Sequence, residues 1–344
     1  MTGLRPSSHA FAQRDSYGVA SKARACRRLA SGDAGMLVAD RRAVASVPLR
    51  ALALSSILFT IGCASHPASP SVPARSEEHV VLTYLGAAGW RIDEGIHVLL
   101  VDPFFSRARV DDGKAVLLPD QERIAHYSPA HTDAILVGHS HYDHLLDVPD
   151  IAKRTEAMVV GSESTLNVAR AAGVPEQRLV RARGGERLQF GPFSVRAIRA
   201  LHSVNGLPNE TIPAGVRLPM AAAEYVEGGT LQYLVQVADH AILFIGTANF
   251  IEGELDGLRP DVAVIATRGR EKVQDYACRL MRALGRPRLV LPNHFDAHWE
   301  PLGATQMNID DADRADLAAF SHEIHACSPE TSVVLPIHLQ PRTL

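Results

Sequence analysis

Gly138-His139-Ser140-His141-Tyr142-Asp143-His144 is the stretch on which the reading of this chain turns. It places three imidazoles and one carboxylate close together, directly after the apolar run Ala134-Ile135-Leu136-Val137. A short apolar run bounded by a turn reads as a buried strand. His139 and His141 are two apart, so at a strand end they project to the same side. Asp143 and His144 follow in the turn, and the pattern predicts a helix over 145–153. Neutral imidazole and carboxylate are ligands of zinc and similar divalent ions. One ion can take the alternating histidines and a second the Asp143–His144 pair. The plainer alternative is a polar loop that happens to be rich in histidine.

Composition excludes other classes. Over 344 residues the net charge is −3 and 46% of residues are hydrophobic, which is the balance of an ordinary globular protein. No basic stripe interleaved with aromatics offers a nucleic-acid footprint. No run reaches the ~20 apolar residues of a membrane-spanning helix.

Ahead of the folded part the chain changes character. Residues 1–35 carry scattered Arg, Ser, Ala and Gly without apolar periodicity, and they read as an upstream extension, because Met36 gives a signal of more usual length. Arg41, Arg42 and Arg50 then precede an apolar segment that ends at Ile61-Gly62-Cys63. A basic region, a short apolar core and a small-residue end make 36–63 a secretory signal. Its end resembles the lipobox of bacterial lipoproteins, although Thr60 stands where that motif prefers leucine. The resemblance implies lipidation of Cys63 and a protein anchored at the cell envelope; a cleaved, non-lipidated signal gives a periplasmic or secreted one. Residues 64–78 have linker composition, which leaves 79–344 as one folded hydrolase domain. Cys278 and Cys327 fall within it. In an oxidising compartment they can pair, or each can stay a buried free thiol.

Strands alternate with helices, as in a layered α/β fold. Helices are predicted over 164–172, closed by Gly173, and over 271–284, closed by Gly285. A third, over 311–326, has acids in its first turn and His322 and His325 in its last, an order that suits the helix dipole and makes those histidines capping groups. A Gly-, Pro- and Asn-rich stretch between His202 and Leu231 reads as a functional loop. Within it Asn205, Glu210, Arg217 and Tyr225 are candidates to meet substrate.

From about residue 80 to the C-terminus the chain resembles the metallo-β-lactamase superfamily. Val81-Leu82-Thr83-Tyr84-Leu85-Gly86-Ala87-Ala88-Gly89-Trp90 is similar to its opening strand, and Val98-Leu99-Leu100-Val101-Asp102-Pro103 to its strand ending in Asp-Pro. The histidine motif follows, then Ala197-Ile198-Arg199-Ala200-Leu201-His202 and Val290-Leu291-Pro292-Asn293-His294. The details look most like the branch of ascorbate-6-phosphate lactonase and the N-acylphosphatidylethanolamine phospholipase D enzymes. The resemblance implies a four-layer αβ/βα sandwich. It makes His139, His141 and His202 ligands of one metal and Asp143, His144 and His294 ligands of a second. Zinc, one ion or two, is the implied metal, with manganese and ferrous iron as alternatives. A near copy of the last segment, Val334-Leu335-Pro336-Ile337-His338, reads as a strand ending at a structural histidine.

The chain departs from the family at one position. The family's bridging aspartate lies in a Gly-Asp-Thr turn after a strand; here Ala241-Ile242-Leu243-Phe244-Ile245 is followed by Gly246-Thr247-Ala248-Asn249. Thr247 brings no charge and is a poor ligand for a hard cation. Asn249 and Asp296 are the candidate replacements; otherwise Asn249 stabilises its own turn and Asp296 orients a ligand histidine. Asp102 reads as an acid behind the histidine loop, and Tyr142 either donates to a leaving group or packs away from the site.

Two functional readings follow. The first is a metal-dependent hydrolase acting on an ester, phosphodiester or lactone of a small-molecule or lipid-derived substrate at the cell envelope, with Asp143 orienting an activated water. The second is a non-catalytic metal-binding or ligand-sensing lipoprotein whose site lost activity with the bridging aspartate.

Overall fold

Apolar runs that alternate their facing build two seven-stranded sheets. The computed structural model describes residues 79–206, 209–303 and 309–344. The proposed extension 1–35, the signal 36–63 with Cys63, and the linker 64–78 lie outside the described residues. The first sheet takes β1 (Val80–Gly86), β2 (Gly89–Glu94), β3 (His97–Val101), β4 (Ala134–Leu136), β5 (Met158–Gly161) and β6 (Leu179–Arg181). The second takes β7 (Arg187–Phe190), β8 (Phe193–Arg199), β9 (Leu231–Val237), β10 (His240–Ile245), β11 (Val262–Ala266), β12 (Leu289–Asn293) and β13 (Ser332–Val333). The last strand, β14 (Pro341–Thr343), returns to the edge of the first sheet beside β1. The spatial orders are β14-β1-β2-β3-β4-β5-β6 and β13-β12-β11-β10-β9-β8-β7.

The period of two decides which layer each side chain joins. In β3, Leu99 and Val101 enter the core between the sheets, while Val98 and Leu100 face the opposite way. In β10, Ile242 and Phe244 enter that same core, while Leu243 and Ile245 face outward. Seven helices cover the outer faces among the described residues: α1 (Gln121–Tyr127), α2 (Tyr142–Leu145), α3 (Val148–Thr155), α4 (Glu163–Ala171), α5 (Glu252–Leu255), α6 (Tyr276–Leu284) and α7 (Asp311–Cys327). Leu145, Ile151 and Leu166 pack on the first sheet; Leu255, Leu280 and Phe320 pack on the second. The result is helix, sheet, sheet, helix: the four-layer αβ/βα sandwich. Each fully buried Leu or Phe in these layers contributes about 1.5–3 kcal/mol.

Local chemistry moves some boundaries. The predicted opening strand divides into β1 and β2, because Gly86 (φ 79°) and Ala87 (φ 51°) turn the chain through the left-handed region. The single helix expected over 145–153 is two: α2 ends at Leu145 and α3 begins at Val148, with Pro149 in its first turn, where a missing N–H costs nothing. The helix expected over 271–284 begins only at Tyr276, because Asp275 is left-handed (φ 51°); Gly285 caps it as predicted. Residues 334–338 do not form the expected strand: β13 ends at Val333, and His338 makes only an isolated bridge to Tyr84. Cys278 of α6 and Cys327 at the end of α7 form a disulfide, with Cα atoms 5.3 Å apart. The sequence left that pairing open.

In the first sheet β3, β4, β5 and β6 run parallel, and in the second β10, β11 and β12 do. Ligands in such sheets bind outside the carboxyl ends of the strands. The residues that follow β3, β4, β10 and β12 are Asp102, the histidine motif, the Gly246–Thr247 turn and His294.

Between α2 and α3, the buried Asp147 accepts hydrogen bonds from the N–H and the hydroxyl of Ser106. Burial outweighs those bonds and lifts its carboxyl from 3.8 to about 7. The native state therefore holds a proton that the unfolded chain releases between those values. This contribution to stability is complete below the unfolded value and is lost as pH rises through about 7. Asp147→Asn fixes the protonated state, so the melting temperature of the variant should gain on the natural chain between pH 5 and pH 8. A constant difference across that range would contradict the shift.

Candidate metal centre

Asp102 leaves the end of β3 with φ 42° and is buried. One carboxylate oxygen accepts the Gly138 N–H at 2.6 Å. The other stands 3.0 Å from His144 Nδ1, a charge contact that is not aligned as a hydrogen bond. A Cβ on Gly138 would lie 2.9 Å from that oxygen and one on Gly246 would lie 2.8 Å from it. Both residues must therefore be glycine, so the strand ends of the two sheets close on one carboxylate.

Past Gly138 the chain carries His139 and His141. The Ser140 N–H donates to the Glu227 carbonyl and its hydroxyl to the Val226 carbonyl, which pins the loop. His139 Nε2 and His141 Nδ1 face each other at 3.0 Å, and His202 Nε2 lies 3.2 Å from His139 Nε2. Beside this triad stands a second. His294 Nε2 lies 3.0 Å from Asp143 Oδ2, and His144 Nε2 is 3.8 Å from the same oxygen. The His139 and His144 rings join the two triads, with centroids 3.8 Å apart. The six donors expected from sequence are thus brought together as two groups of three, the ligand atoms within each lying within 4.8 Å of one another.

These separations suit a shared ion. Two donors bound tetrahedrally at ~2.1 Å lie about 3.4 Å apart. Facing imidazole nitrogens share at most one proton, so such clusters leave lone pairs without donors. His144 Nε2, which faces the second triad, is buried with no hydrogen-bond partner among the described residues. Burial and the neighbouring imidazoles push His139 well below its ordinary value, and burial brings His141 down to about 4. Burial lowers His202 as well. All three are neutral and free to ligate at pH 7. Burial pushes the Asp143 carboxyl up, but His144 and His294 overcome it and hold Asp143 well below the carboxylate range. Burial opposes a proton on His144, yet Asp102 and Asp143 together raise its pKa. Two carboxylates here call for a positive charge, and the donor set fits a divalent cation.

The replacement ligands face elsewhere. Asn249 accepts the Phe250 N–H on its carbonyl oxygen and donates to the His202 carbonyl, so it acts as a turn residue. Asp296 is fully engaged: one oxygen accepts from the Tyr84 hydroxyl and the Ala87 N–H, and the other meets Arg107 Nη2 at 2.8 Å and His338 Nε2 at 3.0 Å. It supports the site from behind, since the Ala87 carbonyl accepts the His294 N–H, and His294 itself has φ 52°. His338 belongs to this support. Thr247 is buried, and its hydroxyl accepts the Ser203 N–H at 3.0 Å, steadying the residue after His202. Of the loop candidates, Asn205 Nδ2 approaches His202 Nδ1 at 3.3 Å, Glu210 and Arg217 are exposed, and Tyr225 is buried in the core. Two residues that the sequence did not mark also belong here. His298 Nε2 meets the Tyr142 hydroxyl at 3.0 Å. Buried Arg107 donates to the carbonyls of Ala297 and Glu300, holding the segment that carries His298. Their only signal in sequence is nearness to His294 and to the Asp-Pro turn.

Comparison with known proteins bears on the family and the fold. The sequence profile of the beta-lactamase superfamily domain matches residues 97–295. A metal-dependent hydrolase of Pyrococcus furiosus is 30% identical over 234 residues, covering 65% of this chain and 88% of that protein. Among solved structures, a metallo hydrolase from the archaeon Ignicoccus hospitalis superposes with a TM-score of 0.53 at 17% identity, covering 77% of this chain and 98% of the other. The diiron β-hydroxylase CmlA of Streptomyces venezuelae reaches 0.51 at 18% identity, covering 78% and 54%. Those two likenesses speak for the fold alone.

Two outcomes follow for metal binding. Asp102→Asn keeps an acceptor for Gly138 but removes the charge behind His144, so affinity at the second triad should weaken about 10–100-fold in a chelator competition. Unchanged affinity would contradict this. Without a bridging carboxylate the second triad should hold its ion more weakly than the first, leaving close to one ion per chain after dialysis, and Thr247→Asp should raise that content. Two tightly held ions in the natural chain, with no gain on substitution, would contradict the role given to Thr247.

Proposed function

We propose, from the premise that this chain belongs to the metallo-β-lactamase superfamily and is a metal-dependent hydrolase, that it cleaves an ester-type bond in a partly apolar substrate at the bacterial cell envelope. The observation that carries this reading is the convergence of neutral His139, His141 and His202 beside anionic Asp143 with His144 and His294. Divalent ions at the two triads, zinc by the preference of this donor set, would polarise the scissile oxygen and lower the pKa of a bound water toward neutrality. Asp143, ionised and held by His294 at 3.0 Å, can accept a hydrogen bond from the attacking water and orient it. Asp102 holds the histidine loop through Gly138 and faces His144.

The surroundings favour an apolar substrate portion. Leu201 and Val204 flank His202, Trp299 follows His298, and all three side chains are exposed. Exposed apolar side chains beside two site histidines in the sequence suit a lipid-derived ester, lactone or phosphodiester, in line with the resemblance to the ascorbate-6-phosphate lactonase and phospholipase D branch. The Cys278–Cys327 disulfide supports an oxidising compartment. The Ile61-Gly62-Cys63 signal end supports lipid anchoring there. A non-catalytic lipoprotein has less support, because six donors remain assembled around the position that Thr247 leaves uncharged.

Purified full-length protein should hydrolyse members of a phosphodiester, lactone and carboxylic-ester panel, lose that activity on chelation and regain it with zinc. β-Lactams serve as the negative control. A zinc-loaded chain inert across the panel would overturn the reading. Cys63→Ser should release the protein from the membrane fraction or block its processing; unchanged attachment and an unchanged mature mass would argue against the anchor.

A further inference from the structure

We propose that Tyr142 is a substrate-facing hydrogen-bond donor, oriented by His298, that stabilises negative charge developing on a substrate oxygen; this rests on the hydrolase reading above. Tyr142 lies between His141 and Asp143, and its ring packs edge-on against Phe104, with centroids 6.1 Å apart. Its hydroxyl meets His298 Nε2 at 3.0 Å. His298 comes from the segment after β12, which Arg107 holds through the carbonyls of Ala297 and Glu300. The pair stands beside the second triad, with the His294 and His298 rings 6.3 Å apart.

The other nitrogen of His298 decides which way this bond runs. His298 Nδ1 is buried without a hydrogen-bond partner among the described residues. Orphaned buried N–H groups are rarer than orphaned acceptors, so the proton of the neutral ring belongs on Nε2. His298 therefore donates to the Tyr142 oxygen. The hydroxyl proton of Tyr142 is then free for another acceptor, and no described residue supplies one. A half-buried phenol next to Asp143, with its oxygen fixed and its proton unspent, is a preorganised donor to the reacting substrate. Donors aimed at developing charge are among the strongest contributors to catalysis. Tyr142 is the catalytic group and His298 its positioning residue.

The test uses zinc-loaded full-length protein and the most reactive ester of the panel. Tyr142→Phe should lower kcat about 100-fold or more, the scale for loss of one such donor, with metal content unchanged and KM little affected. His298→Leu should lower kcat in the same way. His298→Gln, whose amide N–H can replace Nε2–H, should recover much of the loss. Undiminished kcat in Tyr142→Phe, or equal rates for the Leu and Gln variants, would overturn the assignment. A second measurement does not depend on turnover. Long-range ¹H–¹⁵N correlation spectra of the natural chain should show His298 as the Nε2–H tautomer; an Nδ1–H tautomer would overturn the proposal even if no substrate were found. Inactivity of the natural chain toward every substrate, with the Nε2–H tautomer present, would count against the hydrolase reading alone.

Discussion

Asp102 is the interaction on which the site depends. A buried carboxylate is costly unless its oxygens are satisfied. Here one oxygen is bound by the Gly138 N–H, and the other stands close to His144 and to Gly246. Gly138 closes a strand of the first sheet and Gly246 one of the second, so the charge that tethers the histidine loop also sets how closely the two strand ends approach. A side chain at either glycine would collide with the carboxylate. The metal-binding motif is thus positioned by a residue that need not touch the metal.

Charge balance explains why the donors sit as they do. Asp102 and Asp143 bring two negative charges into a buried region, and the imidazoles of the first triad stay neutral. His144 is the group that draws a proton toward these acids. Divalent cations would replace that proton with a stronger partner, which couples metal uptake to proton release. A further buried acid, Asp296, is already neutralised by Arg107 and bonded to His338 and Tyr84, so it shapes the wall behind His294 and does not compete for the ion.

Much of this arrangement was legible in the sequence because it rests on local pattern. Short apolar runs and family resemblance marked the strands, and the spacing of His139, His141, Asp143 and His144 marked the core of the site. His202 and His294 came from family resemblance, since no local rule joins them to the motif across so many residues. What escaped depends on tertiary contact. The break between α2 and α3 and the true partners of Asn249 and Asp296 are fixed by neighbours distant in sequence. His298 carries no mark in the sequence; only the Tyr142 hydroxyl 3.0 Å away gives it a role. The Cys278–Cys327 pair was undecidable for the same reason, because 49 residues separate its halves.

Anomalous X-ray scattering at the zinc edge, from crystals of the zinc-loaded full-length chain, tests the central claim most directly. The account predicts a strong peak among His139, His141 and His202 and a weaker one among Asp143, His144 and His294. The absence of a peak at both triads, or an ion ligated by Asn249 or Asp296, would contradict it.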